Sequence, residues 1–181
     1  MSALLFFLPA LSFAQSHLVP AVGAMRLGDH AQAIDHLRPH AGKGETQAQY
    51  LLGLALESAP GERRDLKSAR EWYERAARAG HVGARYHLAA LSGEPRDPRE
   101  KAKLAQAAAV LGVAAAQAEL GLAYRRGAGV PRNLALSHQW LLRAAENGHK
   151  GAMAELAWVY ESGFGVRSND ERARFWREQA K

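Results

Sequence analysis

Apolar and small residues recur along the chain with the spacing of one helical face. Four segments place them at positions i, i+4, i+5 and, in three cases, i+8: Ala48, Leu52, Gly53 and Leu56; Ala84, Leu88 and Ala89; Ala116, Leu120, Gly121 and Tyr124; and Ala152, Leu156, Ala157 and Tyr160. Because an α-helix completes a turn in about 3.6 residues, each set predicts a helix with one buried side. The Gly or Ala that follows each leucine lets a second helix approach closely.

A second helix is predicted after each of these four. In the last two segments the link is a glycine-rich turn, "RRGAGVPRN" or "ESGFGVRSN", and glycine adopts the left-handed conformation of a helix end without a steric penalty. Four Asp or Asn residues stand where an N-cap is needed: Asp65, Asp97, Asn133 and Asn169. The first three of these second helices end in an alanine pair followed by "GH" or a related sequence.

The chain therefore consists of four copies of one helix pair, at about residues 45–80, 81–112, 113–148 and 149–181. The second copy is the shortest, because its turn is reduced to "SGEPRD". A unit that occurs repeatedly is typical of stacked structural repeats, whereas a catalytic loop is normally needed once.

The combined pattern, A-x-x-x-L-G-x-x-Y, then G-x-G-V, Asp or Asn, W, and A-A-x-x-G-H, resembles the Sel1-like repeat, a relative of the tetratricopeptide repeat. Copies three and four carry it most fully, and copy one has "ESAPGERRD" in place of the glycine turn. The resemblance covers roughly residues 45–181. It implies an all-α fold, a right-handed α/α superhelical solenoid of stacked antiparallel helix pairs, and a role as an adaptor in protein complexes.

Residues 15–44 resemble one further, degenerate pair of tetratricopeptide type. Asp29 is positioned to cap its second helix, and Pro39 is expected to stop that helix. Terminal units of repeat arrays often depart from the pattern because they shield the core from water. About five helix pairs are expected in all, with the helix around Trp176 closing the array of a monomer.

The first fourteen residues, "MSALLFFLPALSFA", predict a signal peptide that is cut between Ala14 and Gln15. They are too short and too broken by Pro9 to span a bilayer. The processed chain is then expected to be periplasmic or secreted, with no integral membrane span. The alternative is an apolar first helix that docks on the fold, since no Lys or Arg precedes the apolar run.

The amino-acid composition excludes only a few classes of function. Of the 181 residues, 48% are hydrophobic and 23% charged, which is ordinary for a globular protein. The net charge of +6 is compatible with an acidic partner or with simple solubility. The absence of cysteine excludes disulfides, thiolate zinc sites and a lipid anchor on cysteine.

A partner-binding surface is predicted on the side opposite the packed face of each first helix. Residues two positions beyond the packed ones are turned by about 200° and are expected to line the concave side of the array. The residues expected to bind the partner are Tyr50, Leu54, Tyr86, Leu122, Arg125, Trp158 and Glu161. Exposed aromatic residues with Arg nearby are typical of binding sites. The alternative is that the chain buries these side chains itself.

Metal and catalytic chemistry find little support in the sequence. His36 and His40 have the i, i+4 spacing of two ligands, but Pro39 is expected to turn His40 away, so no metal site and no cofactor are predicted. His81 and His149 are interpreted as caps or packing residues at the "GH" corner. Ser137 aligns with Ala69 and Ala173, which makes a small packed residue more plausible than a nucleophile.

Two hypotheses of function remain. The first is a non-enzymatic scaffold in the bacterial envelope that binds a segment of another protein. No role for nucleic acid is predicted, because Glu71 and Glu74 balance Arg75 and Arg78 along one helix and an exported protein seldom meets nucleic acid. The second is an envelope enzyme or a protein that binds cell-wall or β-lactam ligands, which is suggested only by the resemblance to some secreted relatives. The motifs of such enzymes are absent.

Overall fold

The computed structural model describes residues 13–181, and within that range it contains α-helices and short 3-10 helices but no strand. The 3-10 helices are Phe13–Leu18 and Gly61–Arg63. The α-helices are α1 (Val19–Arg26), α2 (His30–Gly42), α3 (Thr46–Ser58), α4 (Leu66–Arg78), α5 (Val82–Ser92), α6 (Pro98–Ala109), α7 (Ala114–Arg126), α8 (Leu134–Glu146), α9 (Lys150–Ser162) and α10 (Asp170–Gln179).

The described residues fall into two compact units, 13–94 with α1 to α5 and 95–181 with α6 to α10. Within each unit, helices that are consecutive in the chain pack against each other. The expected all-α repeat fold is thereby confirmed. The second predicted copy contributes α5 to one unit and α6 to the other, so the copy with the shortened turn is also the place where the units divide. The individual copy boundaries stay predictions.

The predicted N-caps form as the sequence indicates. The side chains of Asp65, Asp97, Asn133 and Asn169 each accept a hydrogen bond from a backbone N–H in the first turn of the following helix. Asp29 does the same at the start of α2. Each cap satisfies a donor that the helix itself leaves unpaired, which fixes where the second helix of a pair begins.

The histidines of the "GH" corner are also caps. Nδ1 of His81 accepts from the N–H of Ala84 (3.2 Å), and Nδ1 of His149 accepts from the N–H of Ala152 (3.0 Å). Burial lowers the pKa of both imidazoles. Both rings must therefore stay neutral to keep a lone pair on Nδ1, and they act in helix formation rather than as ligands.

The small residues beside the leucines permit the close helix contacts that the pattern predicts. A Cβ added at Gly53 would lie 2.6 Å from Cε1 of Tyr73 on the second helix of its pair. At Gly121 it would lie 2.9 Å from Cγ of Leu141 and 3.1 Å from the backbone oxygen of Ser137. Ser137 is buried as a small packing residue, as its alignment with alanines suggests.

The glycine turns of copies three and four close in the same way. Gly127 and Gly163 end α7 and α9 with φ of 73° and 69°, the left-handed region. The N–H of Asn133 then donates to the carbonyl of Tyr124 (2.9 Å), and Asn169 makes the equivalent bond in copy four. The turn thus returns the chain to the start of the second helix.

One expectation about the N-terminal pair is wrong. Pro39 does not stop the second helix but lies inside α2, which continues to Gly42. The proline is exposed and sits in the last turn, where its missing N–H costs a single backbone hydrogen bond. His40 therefore stays on the same helix as His36.

The predicted signal peptide lies almost entirely outside the described residues, and so does the alternative of a docked first helix. Among the described residues, no helix is both long enough and apolar enough to cross a bilayer.

The close contact at Gly121 predicts that adding one methyl group there lowers the stability of the fold. We expect Gly121→Ala to lower the free energy of unfolding by about 1–3 kcal/mol, because the added Cβ meets backbone as well as a side chain. Gly23→Ala is the matched control, since Gly23 lies inside α1 and a Cβ there meets nothing within 4 Å. That control should be neutral or stabilising by up to about 1 kcal/mol. Denaturant unfolding followed by circular dichroism measures both, and equal effects would contradict the packing argument.

The cap at His149 predicts a pH dependence of stability. Its folded-state pKa is lowered, so the unfolded chain takes up a proton first as the pH falls below the ordinary histidine value of 6.5, and stability is lost until the folded-state pKa is passed. In His149→Asn the cap acceptor remains but cannot titrate. The loss of unfolding free energy between about pH 7.5 and pH 5 should therefore be smaller in the variant. An identical pH profile would contradict the capping role.

Candidate functional site

An open groove lies between α7 and α9 in the unit of residues 95–181. Its lining consists of Arg125 from α7 and of Gly151, Ala154, Glu155 and Trp158 from α9. The four α9 residues share one helical face because they are spaced three, four and seven residues apart. The cavity has a volume of about 400 Å³. We call it the α7–α9 groove.

A charged bridge spans this groove. Nη1 of Arg125 donates to Oε2 of Glu155 at 2.6 Å. The guanidinium carbon of Arg125 also lies 5.5 Å from the ring centroid of Trp158, within cation–π range. Because one side chain engages both α9 residues, the side of the groove is held in a defined geometry before any partner binds.

The aromatic side chains of the groove remain accessible. Trp158 is 46% exposed, although a tryptophan is usually covered in a monomer. Its ring lies 5.6 Å from that of Phe164, which is also exposed and has Arg132 above its face. Gly151 and Ala154 contribute no side chain beyond Cβ, so the space next to the indole is left open.

The other two predicted residues of this unit have different surroundings. Leu122 is half-buried and packs on the core cluster that includes Leu141, Met153 and Trp176. Glu161 forms an exposed ion pair with Arg177 (2.8 Å) and lies outside the groove lining. The structure thus brings Arg125 and Trp158 together and leaves Leu122 and Glu161 outside the groove lining.

In the unit of residues 13–94, the expected accessible aromatic surface is absent. Tyr50 is 3% exposed and Tyr86 is 6% exposed, whereas Leu54 is half-buried. The ring of Tyr50 stacks on His81 with centroids 4.1 Å apart, and burial raises the pKa of its hydroxyl. Here the chain covers its own side chains, which is the alternative left open by the sequence.

A largely buried network of polar side chains lies next to Tyr50. The carboxylate of Glu57 accepts from the hydroxyl of Tyr73 (2.6 Å) and pairs with Nδ1 of His87 (3.0 Å). Burial raises the pKa of Glu57, but the hydrogen bonds from His87 and Tyr73 outweigh it and leave the pKa lowered. All three side chains are engaged with one another, so this network joins α3, α4 and α5 rather than presenting a reactive group.

Sequence reasoning missed Glu155 and Gly151 as groove residues, and it also missed Phe164, whose ring lies beside that of Trp158. The helical spacing that selected Trp158 also selects Gly151 and Glu155, which lie seven and three residues earlier on the same face. The pairing of Glu155 with Arg125, thirty residues away, has no signal in local periodicity. Among the described residues, one group is arranged to hold a metal ion: His17, His40 and Glu45.

Comparison with known families identifies the fold class as a Sel1 repeat fold. The Sel1 repeat matches residues 46–81, 114–149 and 151–181, which is more than half of the chain. The chain belongs to the Sel1 repeat family. The copy at 81–112, which lacks the glycine turn, is not among the matched segments.

Solved structures show the same fold. A protective antigen of uropathogenic Escherichia coli with an SLR fold is 32% identical, with a TM-score of 0.55, and the match covers 81% of this chain and 32% of that one. This chain thus spans about a third of that antigen. A Sel1 repeat protein from Oxalobacter formigenes is 24% identical (TM-score 0.56, covering 94% of this chain and 75% of that one).

The immunity protein Pa5087 from Pseudomonas aeruginosa is 19% identical, with a TM-score of 0.60, and the match covers 96% of this chain and 67% of that one. At this level of identity the likeness concerns the fold alone. No curated protein sequence matched the chain.

Proposed function

We propose that this protein is a non-enzymatic scaffold that binds a segment of another protein in the α7–α9 groove. Sel1 repeat proteins generally mediate protein–protein interactions. The observation that carries the proposal is the exposed indole of Trp158 beside the guanidinium of Arg125, on the side of an open cavity. Trp and Arg are the residues most often found at the energetic centre of interfaces.

The shape of the groove indicates which kind of side chain the partner segment places in it. An apolar side chain of the partner would occupy the space above Gly151 and Ala154 and cover the indole of Trp158. Covering the exposed part of an indole contributes about 2 kcal/mol, which is the size of a typical interface anchor. The charge of Arg125 is already compensated by Glu155, so the anchor of the segment is apolar rather than acidic.

A binding role without chemistry is supported by the state of the polar groups. Ser137 is buried, and Glu57, Tyr73 and His87 are occupied with one another. In the groove itself the only charged lining residues, Arg125 and Glu155, neutralise each other. No observation on the described residues favours the alternative of an envelope enzyme or of a cell-wall-binding protein.

We further propose that the protein acts in the bacterial cell envelope, after removal of residues 1–14. The support is the short apolar run that ends in Ser12 and Ala14, two small residues at the positions that a signal peptidase requires.

Trp158 is the critical test of the groove. We expect Trp158→Ala to weaken capture of the partner from envelope extract by about 30-fold in affinity, the equivalent of about 2 kcal/mol, with an unchanged helical circular dichroism spectrum. Phe175→Ala is the matched control, because Phe175 is an aromatic residue of similar exposure on α10 and does not line the groove. Equal capture by the wild-type chain and by Trp158→Ala would contradict the proposal.

The envelope location has its own test. Expression of the full chain in a Gram-negative host should give a periplasmic product whose mass and N-terminal sequence begin at Gln15. The variant Ala14→Arg should retain residues 1–14, because a large charged side chain does not fit the cleavage position. Recovery of the wild-type chain in the cytoplasm with residues 1–14 still attached would contradict this location.

A further inference from the structure

Three side chains that are distant in the sequence converge near the N-terminal end of the unit of residues 13–94. His17 lies in the 3-10 helix Phe13–Leu18, His40 in the last turn of α2, and Glu45 immediately before α3. Nε2 of His17 is 2.7 Å from Oε2 of Glu45, and Nδ1 of His40 is 2.9 Å from Oε1 of the same carboxylate. The two imidazoles thus meet one carboxylate from two directions.

The backbone around this cluster is fixed by other contacts. Nε2 of His36, one turn before His40 on α2, donates to the carbonyl of His17 at 2.9 Å. The N–H of Glu45 donates to the carbonyl of His40. Leu18, the neighbour of His17, is fully buried and anchors the 3-10 helix. None of these contacts involves the imidazole nitrogens of His17 and His40 or the carboxylate of Glu45. The fold therefore brings these three groups together before any ligand binds.

We propose that His17, His40 and Glu45 form a binding site for a divalent zinc ion. Two imidazole nitrogens and one carboxylate oxygen are a ligand set that Zn²⁺ accepts, with a fourth position left for water. The ligand atoms lie within 4.8 Å of one another. Tetrahedral coordination at about 2.0–2.1 Å places ligand atoms roughly 3.3 Å apart. The His17–Glu45 and His40–Glu45 contacts of 2.7 and 2.9 Å each need to open by about half an ångström to reach that spacing.

The surroundings favour a cation. His40 is in the last turn of α2, where the helix dipole gives the helix end a partial negative charge. His17 is exposed and His40 and Glu45 are half-buried, so an ion can reach the three side chains from solvent. The three residues also follow the predicted cleavage point after Ala14, so the processed chain would keep them.

Bound zinc would join the 3-10 helix to the corner between α2 and α3. An ion that binds the folded chain more tightly than the unfolded one stabilises the fold, and the stabilisation grows with the logarithm of the ion concentration once this exceeds the dissociation constant. The site therefore predicts a metal-dependent stability of the N-terminal helix pair, which is separate from partner binding at the α7–α9 groove.

Zinc titration of the full chain, purified without a histidine tag and freed of metal, tests this directly. Calorimetry should show one Zn²⁺ per chain, and zinc should raise the melting temperature. His40→Ala and Glu45→Gln should weaken binding by about 10-fold or more and remove the zinc-induced increment in melting temperature. His138→Gln, which removes a histidine from the other unit, is the control and should retain both. Mg²⁺ should give no increment, because it prefers oxygen ligands.

The melting temperature of each variant is compared with and without zinc. A variant that is merely less stable is therefore still informative. Visible absorption of Co²⁺ added in place of zinc gives a second readout, because its bands report coordination directly. Zinc binding that is equally strong in His40→Ala and Glu45→Gln, or the absence of a stoichiometric site in the wild-type chain, would overturn the proposal.

Discussion

The close approach of the two helices within a pair is the constraint on which the rest of the structure depends. At Gly53 and Gly121 the first helix carries no Cβ, and Tyr73 and Leu141 of the second helix occupy that space. With the pairs this close, the remaining faces of the first helices are fixed in direction. In residues 95–181 this positions α7 and α9 so that Arg125 reaches Glu155 and Trp158. The groove is a consequence of the packing beneath it.

The parts of the fold that are governed by local rules could be predicted from the sequence. The caps at Asp65, Asn133 and Asn169 form because a short polar side chain satisfies the first turn of its own helix. His81 and His149 follow the same rule, with a ring nitrogen as the acceptor. These interactions lie within three residues of each other, so the pattern along the chain contains all the information they need.

The errors concern contacts between distant residues or a balance of small energies. Helical phase predicts that Tyr50 faces away from the packed stripe of α3, but local periodicity cannot show that His81, thirty-one residues later, stacks on the ring. Pro39 was expected to end α2, yet the loss of one hydrogen bond in the final turn is smaller than the gain from continuing the helix to Gly42. His40, which lies in this final turn, meets Glu45 at 2.9 Å.

The two units treat their polar and aromatic residues differently, and this difference supports the functional interpretation. In residues 13–94 the rings of Tyr50, Tyr73 and Tyr86 are buried, and the half-buried carboxylate of Glu57 has two partners. In residues 95–181 the indole of Trp158 is left open beside a preformed ion pair. The cost of leaving an indole in water is understandable if a partner covers it.

The most direct measurement of this claim is site-specific photo-crosslinking in living cells. A photoreactive amino acid replaces Ala154, which lines the groove and is exposed, and in a parallel strain it replaces Glu171, which is exposed on α10. The account predicts a discrete covalent adduct with one partner protein from position 154 and none from position 171. No adduct at position 154, or the same adducts from both positions, would contradict it.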